Sequence, residues 1–421
     1  MMVVADLHIH SRFSRSCSKQ INFRNLSHWS GIKGINLLGT GDFTHAQWLK
    51  EFEEEVVDLK NGFYKLKNDK NSVNFVLSSE ISCIYKQNDK TRRVHIVILM
   101  SSVASVKKFN KELIDRGCNL KSDGRPIIGL SAETLAGIAL GVDKKSLIIP
   151  AHIWTPWFSA LGSKSGFDSI EECFGKYSKN IYALETGLSS DPHMNWFVSS
   201  LDNYVLVSNS DSHSLERIGR EANVFDFENF SYDELYNTLK NKDKKKFLYT
   251  IEFFPEEGKY HFDGHRICNV SIDPLKFNKT KICPVCKKEL TLGVLRRVEE
   301  LSDRTEKEVE KIKNKFIAYK NCVGLKEIIG EAINQRSTSK KVDTIYFEII
   351  KNVGSEFDIL LNKTKLELKT AIKNFTIIEA IMRMRRGEIN VVPGYDGAYG
   401  IVKIFSDKEK IKNKNLQQKL F

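Results

Sequence analysis

Seven short, β-rich apolar runs divide the first 250 residues, at 3–10, 35–43, 73–81, 94–100, 147–153, 181–186 and 204–209. Runs of this length read as buried strands of a parallel sheet, and most of the spacers can hold a helix. Seven such units predict an α/β fold with a closed or nearly closed β/α barrel. Chemistry narrows the fold further, because almost every run ends in or carries a histidine or a carboxylate. Asp6 is followed by His8 and His10, and Asp42 by His45. Glu80 ends the third run, His95 lies within the fourth, and His152 ends the fifth. Glu185 ends the sixth, and Asp211 and His213 follow the seventh.

Barrel enzymes place their chemistry at the carboxyl ends of strands, which converge on one face. Six of the ten histidines would therefore meet in one pocket with several carboxylates. Residues i and i+2 of a strand share a face, so His8 and His10 can reach one metal together, and Asp211 and His213 repeat that spacing. Glu80 can bridge two cations, and imidazole with carboxylate suits Zn, Mn or Fe. Ions about 3.5–4 Å apart would hold a hydroxide nucleophile and neutralise charge on a phosphate, which is a hydrolytic phosphoesterase site. Singly, each residue has a plainer explanation as a hydrogen-bonded structural histidine or a helix-capping acid. Their coincidence at nearly every strand end favours the metal.

The charge is uneven. Of the net +12 over 421 residues, 1–255 carry +2 and 256–421 carry +10. A basic appendage beside a near-neutral larger unit implies a polyanionic partner, with a lysine-rich compositional bias as the competing explanation. With 41% hydrophobic and 28% charged residues the chain can bury a core, so wholesale disorder is excluded. No apolar run approaches a membrane span and no signal peptide opens the sequence, so a cytoplasmic protein with no membrane partner is expected.

The expected organisation is a barrel over 1–255, a metal-binding module over 256–295, a basic, mostly helical region over 296–405 and a basic tail over 406–421. In the module, His265 and Cys268 precede Cys283 and Cys286. Two ligand pairs joined by a loop are how tetrahedral structural zinc is held in a ribbon-like unit. His261 competes with His265 for the fourth place, and the spacing to Cys268 favours His265. A long charged helix is expected over 296–319, then helices over 325–333, 342–361 and 366–386. A Gly-rich loop with Tyr395 and Tyr399 and a short strand over 401–405 close the chain.

The segments Asp6-Leu7-His8-Ile9-His10, Gly41-Asp42, Ser79-Glu80, Pro150-Ala151-His152 and Ser210-Asp211-Ser212-His213 resemble, in order, the motifs of the PHP (polymerase and histidinol phosphatase) family. The resemblance implies a distorted seven-stranded β/α barrel with a two- or three-metal phosphoesterase centre. It assigns His8, His10, Glu80 and Asp211 to one ion, Glu80, His95 and His152 to a second, and His213 to a third. The sequence departs from the family at the third ion. Ser16 stands where a histidine is frequent, and Phe43 follows Asp42 where a histidine is usual. Either His45 reaches in from its loop, or the centre holds two ions or a shifted third one.

The match extends further along the chain. The residues after His10, the stretch Gly39 to His45, Trp154-Thr155-Pro156-Trp157-Phe158, the residues following Glu185, the Cys/His module and Val392-Pro393-Gly394-Tyr395-Asp396-Gly397 resemble the endonuclease Q family within the PHP proteins. That resemblance implies a DNA-repair endonuclease that nicks 5′ to a deaminated base (hypoxanthine, uracil or xanthine) or an abasic site. Glu80 and Asp211 would carry the catalysis, with zinc in the module and zinc, manganese or magnesium in the centre. Damaged double- or single-stranded DNA is the expected partner, with a sliding clamp as a further candidate.

Such a nick needs a phosphate grip, a duplex grip and a pocket for an extruded base. Arg12 and Arg15 are candidates to clamp the phosphate, with solvated loop arginines as the plainer reading. Trp154, Trp157 and Phe158 are candidate stacking walls of the base pocket, against ordinary core packing. Glu185 is placed with them, or as a ligand, a proton acceptor or a partner of a ligand histidine. Arg383, Arg385 and Arg386 at a helix end are candidate DNA contacts, and Tyr395 and Tyr399 a candidate wedge, with a simple turn as the plainer reading of the tyrosines. Two alternatives remain: a small-molecule phosphatase of the histidinol-phosphatase type, and a non-catalytic nucleic-acid-binding scaffold.

Overall fold

The computed structural model describes residues 1–71, 73–276, 280–406 and 409, so most of the basic tail expected over 406–421 lies outside the described residues. Each of the seven runs contains a strand. These are β1 (Met2–Asp6), β2 (Leu37–Gly39), β3 (Asn74–Gln87), β4 (Lys90–Met100), β5 (Leu147–Pro150), β6 (Ala183–Glu185) and β7 (Val205–Val207). They follow one another around a ring. β1 is parallel to β2, and β2 to β3. β3 and β4 form an antiparallel hairpin, β4 is antiparallel to β5, and β6 is parallel to β7.

Two joints of the ring are single bonds beyond the strand ends. Ile153 N donates to Glu185 O at 3.1 Å, and His10 N donates to Ser212 O at 2.9 Å. Side-chain amides reinforce the second joint. Leu7 N donates to Asn209 Oδ1 at 2.9 Å, and Asn223 Nδ2 donates to Ser208 O at 2.7 Å and to Asn209 Oδ1 at 3.0 Å. All of these groups are buried, so each must find a partner inside the protein.

The expected all-parallel sheet is corrected at β4, which runs against both neighbours. Asn88 and Asp89, both at positive φ, turn the chain tightly between β3 and β4 as a type I′ hairpin requires. The reversal explains why His95 lies within its run and not at its end. On a reversed strand the functional face is reached early, and His95 pairs across from Ser82, two residues beyond Glu80.

Among the described strands that were not visible as apolar runs, three extend the main sheet beyond β1. β8 (Ala222–Asp226) is antiparallel to β1, β9 (Phe247–Glu252) is antiparallel to β8, and β10 (Ala318–Asn321) is parallel to β9. The main sheet thus continues past residue 255 into the region expected to be helical.

The long helix over 296–319 is corrected to two helices, Val294–Leu301 and Glu306–Ile312, a 3-10 turn and β10. The break has local causes. Thr305 and Glu308 form a capping box that starts a new helix. Arg304 pairs with Asp202 at 2.5 Å and Asp303 binds Ser199, tying the break to the barrel. The pattern over 342–361 likewise ends as a helix at Lys340–Val353, before Gly354, and that over 366–386 divides into Lys365–Ala371 and Phe375–Arg385. Helix Leu325–Ile333 and the strand Ile401–Lys403 agree with the sequence reading.

Glu356 locks the helical region to helix Phe23–Lys33. Its carboxylate meets Lys33 Nζ at 2.6 Å and accepts from Tyr346 Oη at 2.6 Å and Leu325 N at 2.9 Å. Among the described residues no helix is long and apolar enough to cross a membrane.

Asn223 links β1, β7 and β8 through buried bonds, so Asn223→Ala should leave several polar groups unpaired. We expect a loss of about 3 kcal/mol, each orphaned buried group costing about 1–3 kcal/mol. The shift of the urea unfolding midpoint measures it.

Candidate active site

Glu80 is the centre of the ring's mouth. Its Oε1 lies 2.8 Å from His95 Nδ1 and 3.2 Å from His152 Nε2. Its Oε2 lies 3.3 Å from His10 Nε2, 3.7 Å from His8 Nε2 and 3.0 Å from Arg125 Nη1. Asp211 Oδ1 faces it from the opposite wall, 3.0 Å from His10 Nε2 and 3.6 Å from His8 Nε2. Two groups result, His8, His10, Glu80 and Asp211, and Glu80, His95 and His152, each with its ligand atoms within 4.8 Å of one another. Glu80 belongs to both.

The donor set fits divalent cations. His8 Nε2 is buried without a hydrogen-bond partner, while its Nδ1 lies 3.0 Å from Glu185 Oε1. A histidine whose Nδ1–H is given to a carboxylate turns its Nε2 lone pair outward as a ligand. His10 repeats the arrangement, with Nδ1 3.1 Å from Asp42 Oδ1, and His152 Nδ1 lies 3.1 Å from Thr155 Oγ1. Although burial opposes it, the surrounding carboxylates favour protonated His8 and His10, whose Nε2 protons a cation would displace; against burial, the bond from His10 and these two charges hold the Asp211 carboxyl below the usual range. Burial would likewise raise Glu80, and Arg125, His8 and the bond from His10 hold it down. His95 goes the other way. Burial outweighs Glu80 and brings it to about 4, so it stays neutral and able to ligate.

The backbone around the cluster is held in a sparsely populated conformation. Asp42, His152 and Asp211 have φ of 47°, 32° and 45°, in the left-handed region that non-glycine residues avoid. Each costs about 1–3 kcal/mol and persists where the surroundings over-determine it, as at functional sites.

Other expected residues fall elsewhere. Asp42 supports His10 and accepts from Ser11 N at 2.6 Å and Ser14 Oγ at 2.8 Å, outside both ligand groups. His45 lies outside both groups: it precedes a helix, stacks on Phe13 at 4.1 Å between centroids, and has its Nδ1 buried without a hydrogen-bond partner. His213 also lies outside the two groups, its ring 4.5 Å from that of His10. Glu185 is fully buried beneath the cluster, bonded to His8, His152 N and Asn209, so it supports ligands and does not line a base pocket.

Arg12 is turned away by a bidentate pair with Glu51 at 2.6 Å, and Arg15 is exposed. Trp154 is core, 1% exposed, with its indole N–H given to Asn195. Trp157 packs edge-on to Tyr260, and Phe158 lies against His95, 4.8 Å between centroids. The guanidinium of Arg385 is spent on the carbonyls of Ile359, Leu360 and Lys363. Arg386 pairs with Glu379 and Glu388, and Arg383 with Glu379 and Glu409. Tyr395 donates to Asn269 of the Cys/His module at 2.7 Å, whereas Tyr399 is 55% exposed under Lys259.

Beside the cluster opens a cavity of about 560 Å³ whose lining includes His152, Asp211 and His213 together with Arg217, Arg220, Lys259, Tyr260 and Tyr399. None of the three cations was singled out from the sequence. Arg217 and Arg220 follow the Asp211-Ser212-His213 motif closely, which is a usable signal. Arg125 sits on a loop with no pattern around it.

In the module, His265, Cys268, Cys283 and Cys286 come together, with Cys286 Sγ 3.6 Å from His265 Nδ1. His261 is buried outside this group. The antiparallel pair Asp263–His265 and Val270–Ile272 carries the first two, and a turn closed by Lys287 N to Cys283 O at 3.0 Å carries the others.

Glu185→Gln keeps the shape but weakens the grip on His8. We expect active-centre cation affinity to fall about 10–100-fold, read by Mn²⁺ titration calorimetry. Cys283→Ser should cost the protein one tightly bound metal ion by elemental analysis, and chelation should expose the module to proteolysis, since such units fold on metal.

A family model described as the MJ0043 C-terminal domain matches residues 324–388, the helices attached through Glu356. The uncharacterized protein YqxK of Bacillus subtilis (strain 168) is 29% identical over 419 residues, 95% of this chain and 99% of YqxK. The crystal structure of the lesion-specific endonuclease PfuEndoQ from Pyrococcus furiosus superposes with a TM-score of 0.84 at 29% identity, covering 99% of both chains. A structure of endonuclease Q in complex with a 27-mer duplex carrying an abasic lesion at the active site gives a TM-score of 0.83 at 29% identity, over 97% of this chain and 98% of that one. By motif order, by fold and by end-to-end coverage, the chain is similar to the endonuclease Q proteins.

Proposed function

We propose that the protein is a metal-dependent DNA-repair endonuclease that hydrolyses the phosphodiester 5′ to a deaminated base (hypoxanthine, uracil or xanthine) or an abasic site. The observation that carries the proposal is the pair of ligand groups sharing Glu80 at the edge of a cationic cavity, in a chain that matches endonuclease Q throughout. Divalent cations held by the two groups would supply Lewis acidity and water activation at neutral pH. Zinc is the ion proposed for the Cys/His module, and zinc, manganese or magnesium for the centre.

The protein's own residues do the rest. Glu185, Asp42 and Thr155 fix the imidazoles, so little reorganises during the reaction. Arg217, Arg220 and Lys259 line the cavity with positive charge for the phosphodiester, and Tyr260 and Tyr399 offer aromatic faces to an extruded nucleotide. A deaminated or missing base pairs poorly, which lowers the cost of extrusion. The basic 256–421 region, cytoplasmic like the rest, serves as the duplex grip. We propose duplex DNA as the substrate, as in the solved complex. Single-stranded DNA and a sliding clamp have no support there. A histidinol-phosphatase-type enzyme would share the cluster, but it leaves the basic appendage and the zinc module without a role.

The test is incubation with labelled duplexes bearing one hypoxanthine, uracil or abasic site, with Mn²⁺, Mg²⁺ or Zn²⁺. A nick 5′ to the lesion is expected. Turnover of a small phosphate ester without nicking would establish the phosphatase, and binding without cleavage the scaffold. Asp211→Asn and Glu80→Gln are expected to abolish nicking while gel-shift binding of the same duplex persists.

A further inference from the structure

We propose that Arg125 is a further catalytic residue of this centre, whose guanidinium contacts a non-bridging oxygen of the scissile phosphate. The inference rests on the phosphodiesterase reading above. Arg125 lies on no strand, yet its loop is pinned to the site at successive residues. Gly124 N donates to Phe13 O at 3.0 Å, and Thr44 Oγ1 donates to Gly124 O at 3.1 Å. Arg125 N donates to Asp123 Oδ1 and Ser82 N to Pro126 O, both at 3.0 Å. Gly124 lies so close to the carboxylate orienting His10 that a Cβ there would stand 2.3 Å from Asp42 Oδ2. Only glycine permits that approach, and the approach aims the next side chain at the centre.

Arg125 places Nη1 3.0 Å from Glu80 Oε2, on the carboxylate common to both ligand groups. The contact is monodentate, and the side chain remains 26% exposed whereas Glu80 is fully enclosed. A guanidinium carries five donors in a planar fork, a shape that matches a phosphate. A phosphodiester held at the two ligand groups that share Glu80 would come within reach of a fork anchored on that same carboxylate. There the fork meets the negative charge that develops on the phosphoryl oxygens, and a preorganised donor in such a place is worth a factor of about 10²–10³ in rate.

A role as mere charge partner of Glu80 makes a different forecast. Removing the guanidinium would then alter cation affinity and leave the rate at saturating cation unchanged. Full-length wild-type, Arg125→Ala and Arg125→Lys proteins are compared in three measurements: Mn²⁺ titration without DNA, duplex binding, and single-turnover nicking of an abasic duplex at saturating Mn²⁺. We expect Arg125→Ala to nick about 10²-fold more slowly, with duplex affinity and Mn²⁺ affinity undiminished. Arg125→Lys, which keeps charge but loses the fork, should fall between. Added guanidinium chloride, at concentrations the wild type tolerates, should restore part of the rate to Arg125→Ala alone.

An unchanged rate in Arg125→Ala overturns the proposal, as does a loss of Mn²⁺ affinity that accounts for the whole loss of rate. A wild type that nicks no lesion duplex overturns the functional reading and the proposal with it. A nicking wild type beside an unimpaired Arg125→Ala overturns the proposal alone.

Discussion

A buried carboxylate is tolerated only where positive charge or hydrogen bonds surround it, and Glu80 is enclosed by four imidazoles and one guanidinium. That requirement organises the molecule. His8 and His10 come from the end of β1, His95 from the reversed β4, His152 from the end of β5 and Arg125 from a loop. Glu80 is therefore fully paired only when β1, β4, β5 and the Arg125 loop come together around it. Removing one partner leaves charge uncompensated in a closed space, so the ring, the hairpin register and the pinned loop stand together.

The strain in the site has the same origin. Asp42, His152 and Asp211 hold left-handed backbone because the bonds they make there are numerous and buried. Beneath them Glu185, Asn209 and Asn223 form a polar floor that takes the place of a backbone ladder where β7 meets β1. One set of groups thus closes the fold and fixes the ligand tautomers. The basic helical region is attached by a comparable device, Lys33, Tyr346 and Leu325 converging on Glu356.

Strand-end chemistry was legible from the residues because each motif is local, with i and i+2 side chains sharing one face whatever the strand's neighbours. The Cys/His module was legible for the same reason. The reversed β4 was not, since an apolar run carries no direction and only the Asn88–Asp89 turn hints at one. Strands β8 and β9 escaped because their polar residues, Asn223, Thr250 and Glu252 among them, face a polar interior and break the expected apolar pattern. Trp154 and Arg385 illustrate a further limit. An aromatic or an arginine reads the same in sequence whether it meets a ligand or is spent on Asn195 or on helix carbonyls.

The sequence alone determined the ligand types, their strand-end spacing, the resemblance to endonuclease Q and the partition of charge between a near-neutral barrel and a basic appendage. These follow from covalent order and strand periodicity. Tertiary structure alone decided which groups, Arg125 among them, converge on Glu80, that Asp42 and Glu185 orient ligands, and that Arg217 and Arg220 line the cavity. Those relations join residues far apart in the chain, and only the closing of the ring, under the demand that every buried charge be matched, brings them together.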